Sequence, residues 1–158
     1  MKQGARAAAG VTLVEMLIVI ALIGLMAAIA FPSVSSGIDS LRLTAAADSV
    51  SGLFNQALNV AERRQQAVEI TISKADRTLR ARSAEPGFDR TLALPQGISI
   101  AAVLPEPLQG DDGPRRFLVY PGGTAPRAGI EMTTPRGARR IVRIDPITGV
   151  PRIERPEQ

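Results

Sequence analysis

The chain contains no cysteine, no histidine and no tryptophan, and only 3% of its 158 residues are aromatic. The first two absences exclude disulfides, thiol chemistry, Cys or His metal sites and every histidine-dependent catalytic triad. They do not identify a compartment, because a protein without cysteine is tolerated anywhere. The aromatic shortage excludes the stacking platforms that single-stranded nucleic acids require. Lysine is nearly absent too, occurring only at Lys2 and Lys74, so 17 of the 19 basic side chains are arginine. Net charge is a modest +4, too small to imply a polyanionic partner by itself.

Other combinations that could carry chemistry fail on spacing. Asp111-Asp112, with glycine on either side, supplies too few oxygens for Ca²⁺ and reads as a turn. Ser73-Lys74 lacks the pattern of a nucleophile–base pair and reads as a strand end. Gly122-Gly123 is followed by neither Lys-Ser/Thr nor a helix, so it is a turn, not a phosphate loop. No catalytic residue, metal or cofactor is therefore expected, and nothing supports an enzyme.

One long apolar run dominates what is present. Residues 1–10, MKQGARAAAG, are short and basic through Lys2 and Arg6. From Val11 the sequence becomes VTLVEMLIVIALIGLMAAIAFP, with Glu15 its only charge, and no charged residue occurs from Met16 to Ile38. About 20 apolar residues span a bilayer as a helix. The run is too long for a secretory signal, whose cut would lie after it. The better cut lies before it, at Gly10, and the basic leader keeps the N-terminus cytoplasmic.

Glu15 is the anomaly in this run, since a carboxylate within a membrane helix costs roughly 2–3 kcal/mol or more. Two readings stand. It is an interfacial residue facing headgroup water, or it has a cationic partner. Cleavage after Gly10 would create such a partner, the α-amine of Val11, in the same subunit or a stacked neighbour. A buried charge can set register even where it adds little stability. Gly24, Ala27, Ala28 and Ala30 either permit close helix packing or are neutral filler.

The helix is expected to continue through Pro32, kinked there. Beyond Ser40, Leu43, Ala46, Val50, Leu53, Ala57 and Ala61 recur at steps of three and four, with Phe54 and Leu58 widening the stripe. Arg63 and Arg64 suit a helix C-terminus. After Gln66 the texture becomes β-like, and 11 of the 12 prolines lie from Glu85 onward. Strands are predicted at 68–73, 78–82, 98–103, 116–120, 130–134, 139–144 and 150–153. Asp145-Pro146-Ile147-Thr148-Gly149 is predicted to turn a hairpin, and 104–115 to be an exposed loop. The amphipathic stripe should pack on one sheet face. The fold class is thus α+β.

Gly10-Val11-Thr12-Leu13-Val14-Glu15 and the apolar run resemble the N-terminal signal of type IV pilins and pseudopilins, Val11 replacing the usual phenylalanine. The helix end Ala57–Val68, the turn Pro121-Gly122-Gly123 and the Asp145, Thr148, Gly149 pattern are similar to one branch, the GspH/FimT-like minor pseudopilins and minor pilins. The resemblance implies a pilin-like fold with four parts: a cleaved leader (1–10), a transmembrane and assembly helix (11–32), an amphipathic continuation (33–66) and a periplasmic β-rich domain (67–158). It also implies that a prepilin peptidase cuts between Gly10 and Val11 and methylates the Val11 amine, and that Glu15 serves assembly.

The partners so implied are the peptidase, other pseudopilins in a filament and the inner membrane of a Gram-negative bacterium, crossed once. Within the branch the pattern is most similar to the H-type minor pseudopilin of type II secretion. The alternative is a minor pilin of a type IV pilus that binds DNA, for which Arg139, Arg140 and Arg143 are the candidate contacts. Strand alternation places Arg139 and Arg143 on one face and Arg140 on the other, so they form no stripe, and nucleic acid is not the expected partner. A third reading is a plain single-pass anchor.

Overall fold

The computed structural model describes residues 11–106 and 113–155, with side chains described for all of these except 31–36. One helix, α1 (Leu13–Arg64), is followed by eight strands: β1 (Val68–Ser73), β2 (Thr78–Ser83), β3 (Asp89–Ala93), β4 (Ser99–Leu104), β5 (Arg115–Val119), β6 (Gly129–Thr133), β7 (Arg139–Ile144) and β8 (Pro151–Glu154). This is the α+β, pilin-like architecture that the sequence predicts. The chain divides into two units, Met1–Gly37 and Ile38–Gln158.

In the first unit, every residue from Val11 to Ala30 is exposed. The helical assignment runs through Pro32 without a break, so the proline does not end the helix.

The second unit holds the core. On its part of α1, Leu43, Ala46, Val50, Leu53, Phe54, Ala57 and Ala61 are all buried, as their spacing predicts, and Ala47 joins them. Leu58 is half-buried at the stripe's edge. The helix ends at Gln65, which adopts φ 52° while the Gln66 N–H reaches the Ala61 carbonyl at 3.2 Å. This six-to-one closure is a Schellman-type end, built on glutamine where glycine is usual.

The β-strands form two four-stranded sheets. Their orders are β3-β2-β1-β5 and β4-β6-β7-β8, and every adjacent pair is antiparallel. The chain leaves the first sheet for β4, returns for β5, then completes the second. Alternation buries Val68, Ile70 and Ile72 of β1, Leu79 and Ala81 of β2, Ile130 and Met132 of β6, and Val142 and Ile144 of β7. In β4 the buried residues are Ile100 and Val103, three apart, which strict alternation would place on opposite faces. A register shift between Ile100 and Ala102 resolves the conflict, the extra residue turning Val103 inward.

Seven strands match prediction within one or two residues, and β3 was not foreseen. Its residues, Asp-Arg-Thr-Leu-Ala, show almost no burial, so no apolar alternation announces them. Pairing holds this edge strand in place, with Leu92 opposite Leu79, together with the Arg80–Asp89 ion pair.

Gly129 lies where two strands approach most closely. A Cβ there would stand 2.8 Å from the Arg143 Cβ and 3.0 Å from the Val142 carbonyl oxygen, both fixed by the β6–β7 ladder. We therefore expect Gly129→Ala to destabilise the fold by about 1–3 kcal/mol, the usual cost of overpacking. Thermal unfolding of the full chain in detergent checks this, and an unchanged midpoint would refute it.

Candidate functional site

The sequence readings converge on the helix entrance. Thr12 is the N-cap of α1: its Oγ1 accepts the Glu15 N–H at 3.2 Å, and its carbonyl accepts the Met16 N–H at 3.2 Å. One of the four amide donors that a helix start leaves unpaired is thereby satisfied within the chain. Such a cap matters most in a low-dielectric setting, where an orphaned donor is costly. Glu15 occupies the third helical position, in the first turn, where a negative charge complements the helix dipole. Sequence reasoning concentrated on Glu15 and missed Thr12. The signal was there: Thr12-x-x-Glu15 before an apolar run has capping-box spacing.

The cap also separates Val11 from the helix. Val11 is non-helical and 65% exposed. Gly10, the other half of the expected cut site, lies outside the described residues. A new amine at Val11 would sit next to the positive end of the helix dipole, an unfavourable place for a cation. Glu15 is the nearest negative charge to offset it.

Leu13–Ala30 has a mean hydropathy of 2.7, and none of it is buried. At about 1.5 Å per residue its 18 residues extend some 27 Å, close to the ~30 Å hydrocarbon core of a bilayer. At Gly24 a Cβ would meet nothing within 4 Å, leaving room for close approach of a neighbour.

Residues 5–31 match the family described as the prokaryotic N-terminal methylation motif. This is a prepilin-like N-terminus. The match indicates the type IV pilin and pseudopilin class, whose motif is a prepilin peptidase substrate, and with the apolar helix it points to a membrane anchor. No curated protein and no solved structure matches the chain.

Beyond the prepilin-like segment, the structure places the remaining candidates separately. Arg139 pairs with Glu131 at 3.1 Å and Arg143 with Glu154 at 2.8 Å, each across neighbouring strands. Arg152 pairs with Asp145 at 3.1 Å, and Arg136 reaches Asp39 on α1 at 2.6 Å. Arg140 donates to the Arg139 carbonyl. Arg139 and Arg143 share the outer face of β7, beside the half-buried Ile141, as alternation predicts. Among the described residues, no three His, Cys, Asp or Glu side chains come together to hold a metal ion. Asp111 and Asp112 lie outside the described residues.

Both anticipated turns are present. At Pro121-Gly122-Gly123, Gly122 takes φ 64° and its N–H donates to Glu62 of α1 at 3.0 Å. In the β7–β8 hairpin, Asp145 Oδ1 accepts the N–H groups of Ile147 and Thr148 at 2.9 and 3.2 Å, and Gly149 closes the turn at φ 69°. The hydrogen bond from Ile147, then that from Thr148, holds the Asp145 carboxyl below its usual value of 3.8. The Arg80 hydrogen bond does the same for Asp89.

A folded-state pKa lowered in this way contributes stability that is full above the ordinary aspartate range and is lost as pH falls through the folded value. Thermal midpoints should therefore drop as pH falls below about 4. Asp145→Asn, which keeps an acceptor but cannot titrate, should be less stable than the wild type at neutral pH and converge with it in acid. A constant gap at all pH values would contradict this role of the Asp145 charge.

Proposed function

We propose that the chain is a non-enzymatic structural subunit, an H-type minor pseudopilin of the type II secretion pseudopilus, supporting protein export across the outer membrane. The capped, wholly exposed apolar helix that carries the methylation motif is the observation that carries this reading. In the proposal, the peptidase removes residues 1–10 and methylates the Val11 amine, and the second unit stands in the periplasm of a Gram-negative bacterium. Assembly moves α1 from lipid into a bundle of neighbouring helices. Glu15, whose exposure to lipid costs roughly 2–3 kcal/mol or more depending on depth, there gains a neighbour's α-amine.

The β-rich unit supports the GspH/FimT-like branch. The Gly122 and Asp145 turns match the pattern of that branch, and the chain has no cysteine, whereas the branch's DNA-uptake minor pilins generally carry it in their C-terminal region. The DNA-binding alternative is disfavoured by the ion pairs of Arg139 and Arg143, which leave that strand face nearly neutral.

Replacing Glu15 tests the assembly role. Glu15→Gln should insert and be processed as the wild type, yet appear in the filament fraction on the order of ten-fold less, as loss of about 1.4 kcal/mol implies. Wild-type incorporation would remove the pairing from the account. Deleting the chain should stop protein release into the medium and leave DNA uptake intact. The reverse pattern would favour the pilus reading.

A further inference from the structure

A second feature involves neither the N-terminus nor β7. Between the end of α1 and the start of β3 lies a cleft of about 430 Å³ whose walls include Val60, Arg63, Arg64, Phe88 and Arg90. Its three arginines come from two different elements. Arg63 and Arg64 belong to the last turn of α1, where a cation complements the helix dipole. That does not account for Arg90. It belongs to β3, opposite the buried Ala81, and so occupies the core-facing register of an edge strand.

Gly87 fixes the geometry on one side. A Cβ at Gly87 would lie 2.6 Å from Arg64 Nη1, so the guanidinium rests directly against the glycine. The absent side chain makes room for Arg64 at the cleft.

The charges in this cleft are uncompensated among the described residues. Elsewhere in the unit, Arg80, Arg136, Arg139, Arg143 and Arg152 each have a carboxylate partner. Among the described residues, no carboxylate pairs with Arg63, Arg64 or Arg90. The acids nearest in the chain are engaged elsewhere: Glu62 accepts from Gly122, Glu85 from Gln66, and Asp89 from Arg80. Three like charges in one cleft repel each other, and an arriving anion relieves that repulsion. Guanidinium groups suit carboxylates through paired hydrogen bonds. Half-buried Val60 and Phe88 add an apolar floor.

We propose that this cleft is a docking site for an acidic segment of another protein subunit, its carboxylates meeting Arg63, Arg64 and Arg90 and an adjacent apolar side chain lying on Phe88. A nucleic acid fits less well, because it needs a basic track along successive phosphates, whereas the basic groups lining this cleft are three arginines clustered at one place. The site requires no cleavage after Gly10, so it stands or falls independently of the filament reading.

The test uses the full chain in detergent micelles and fluorescence anisotropy at low ionic strength. The probes are a labelled peptide of aspartate, glutamate and phenylalanine, its asparagine and glutamine counterpart, and a single-stranded oligonucleotide of equal charge. The acidic peptide should bind saturably and the amide peptide should not. The triple variant Arg63→Gln, Arg64→Gln, Arg90→Gln should weaken binding at least about ten-fold, the loss of more than one charge-assisted hydrogen bond. Arg139→Gln with Arg143→Gln should leave it unchanged, and circular dichroism should show both variants folded. Absent or non-saturable binding, equal binding by the triple variant, or preference for the oligonucleotide would overturn the proposal.

Discussion

The apolar side chains of helical residues Leu13 to Ala30, none of them buried, are costly to leave in water. An isoleucine or leucine side chain gains about 1.5–3 kcal/mol on full burial, and this span carries leucine, isoleucine, valine and methionine around its whole circumference. No face is polar, so packing on one partner surface would leave the rest wet. Lipid, or a bundle of helices on all sides, meets the requirement. The other features of the entrance follow from it. Unpaired amides at the start of a helix are costly in such surroundings, and Thr12 satisfies one of them. The charge tolerated at Glu15 lies in the first turn, where the dipole favours it.

The second half of α1 solves a different problem with the same backbone. Its apolar residues narrow to a stripe from Leu43 to Ala61 that the β-strands bury. Two devices let short strands cover it. The β4 register shift lets residues three apart face the same way, and Gly129 lets β6 and β7 close up where a methyl group would not fit. Ion pairs lie around the outside, three of them joining adjacent strands and one, Arg136–Asp39, joining the β6–β7 turn to α1. At exposed sites such pairs contribute little stability individually, but they neutralise the face that the arginine count alone makes look basic.

How much of this was legible in the sequence depended on whether burial left a periodic trace. The α1 stripe, seven strands and the Asp145 hairpin were legible, because alternation, three-four spacing and Asp-x-x-Thr-Gly chemistry are local. The edge strand β3 was not, since its exposed residues carry no alternation and it exists through pairing with β2. The division into two sheets was hidden for a related reason: strand order is set by long-range pairing, which short strands of similar composition do not encode locally. At the entrance, Glu15 was conspicuous as a lone charge, while Thr12 was overlooked as one small polar residue among apolar ones. The Arg63, Arg64 and Arg90 cleft required the fold, because its residues come together only when β3 packs beside the end of α1.

The most direct test of the account is the intact mass and first residue of the mature chain, produced with and without a prepilin peptidase. The account predicts a peptidase-dependent start at Val11, with one added methyl group on its amine. A chain that still begins at Met1 in the presence of active peptidase, or one cut beyond Phe31, would contradict it.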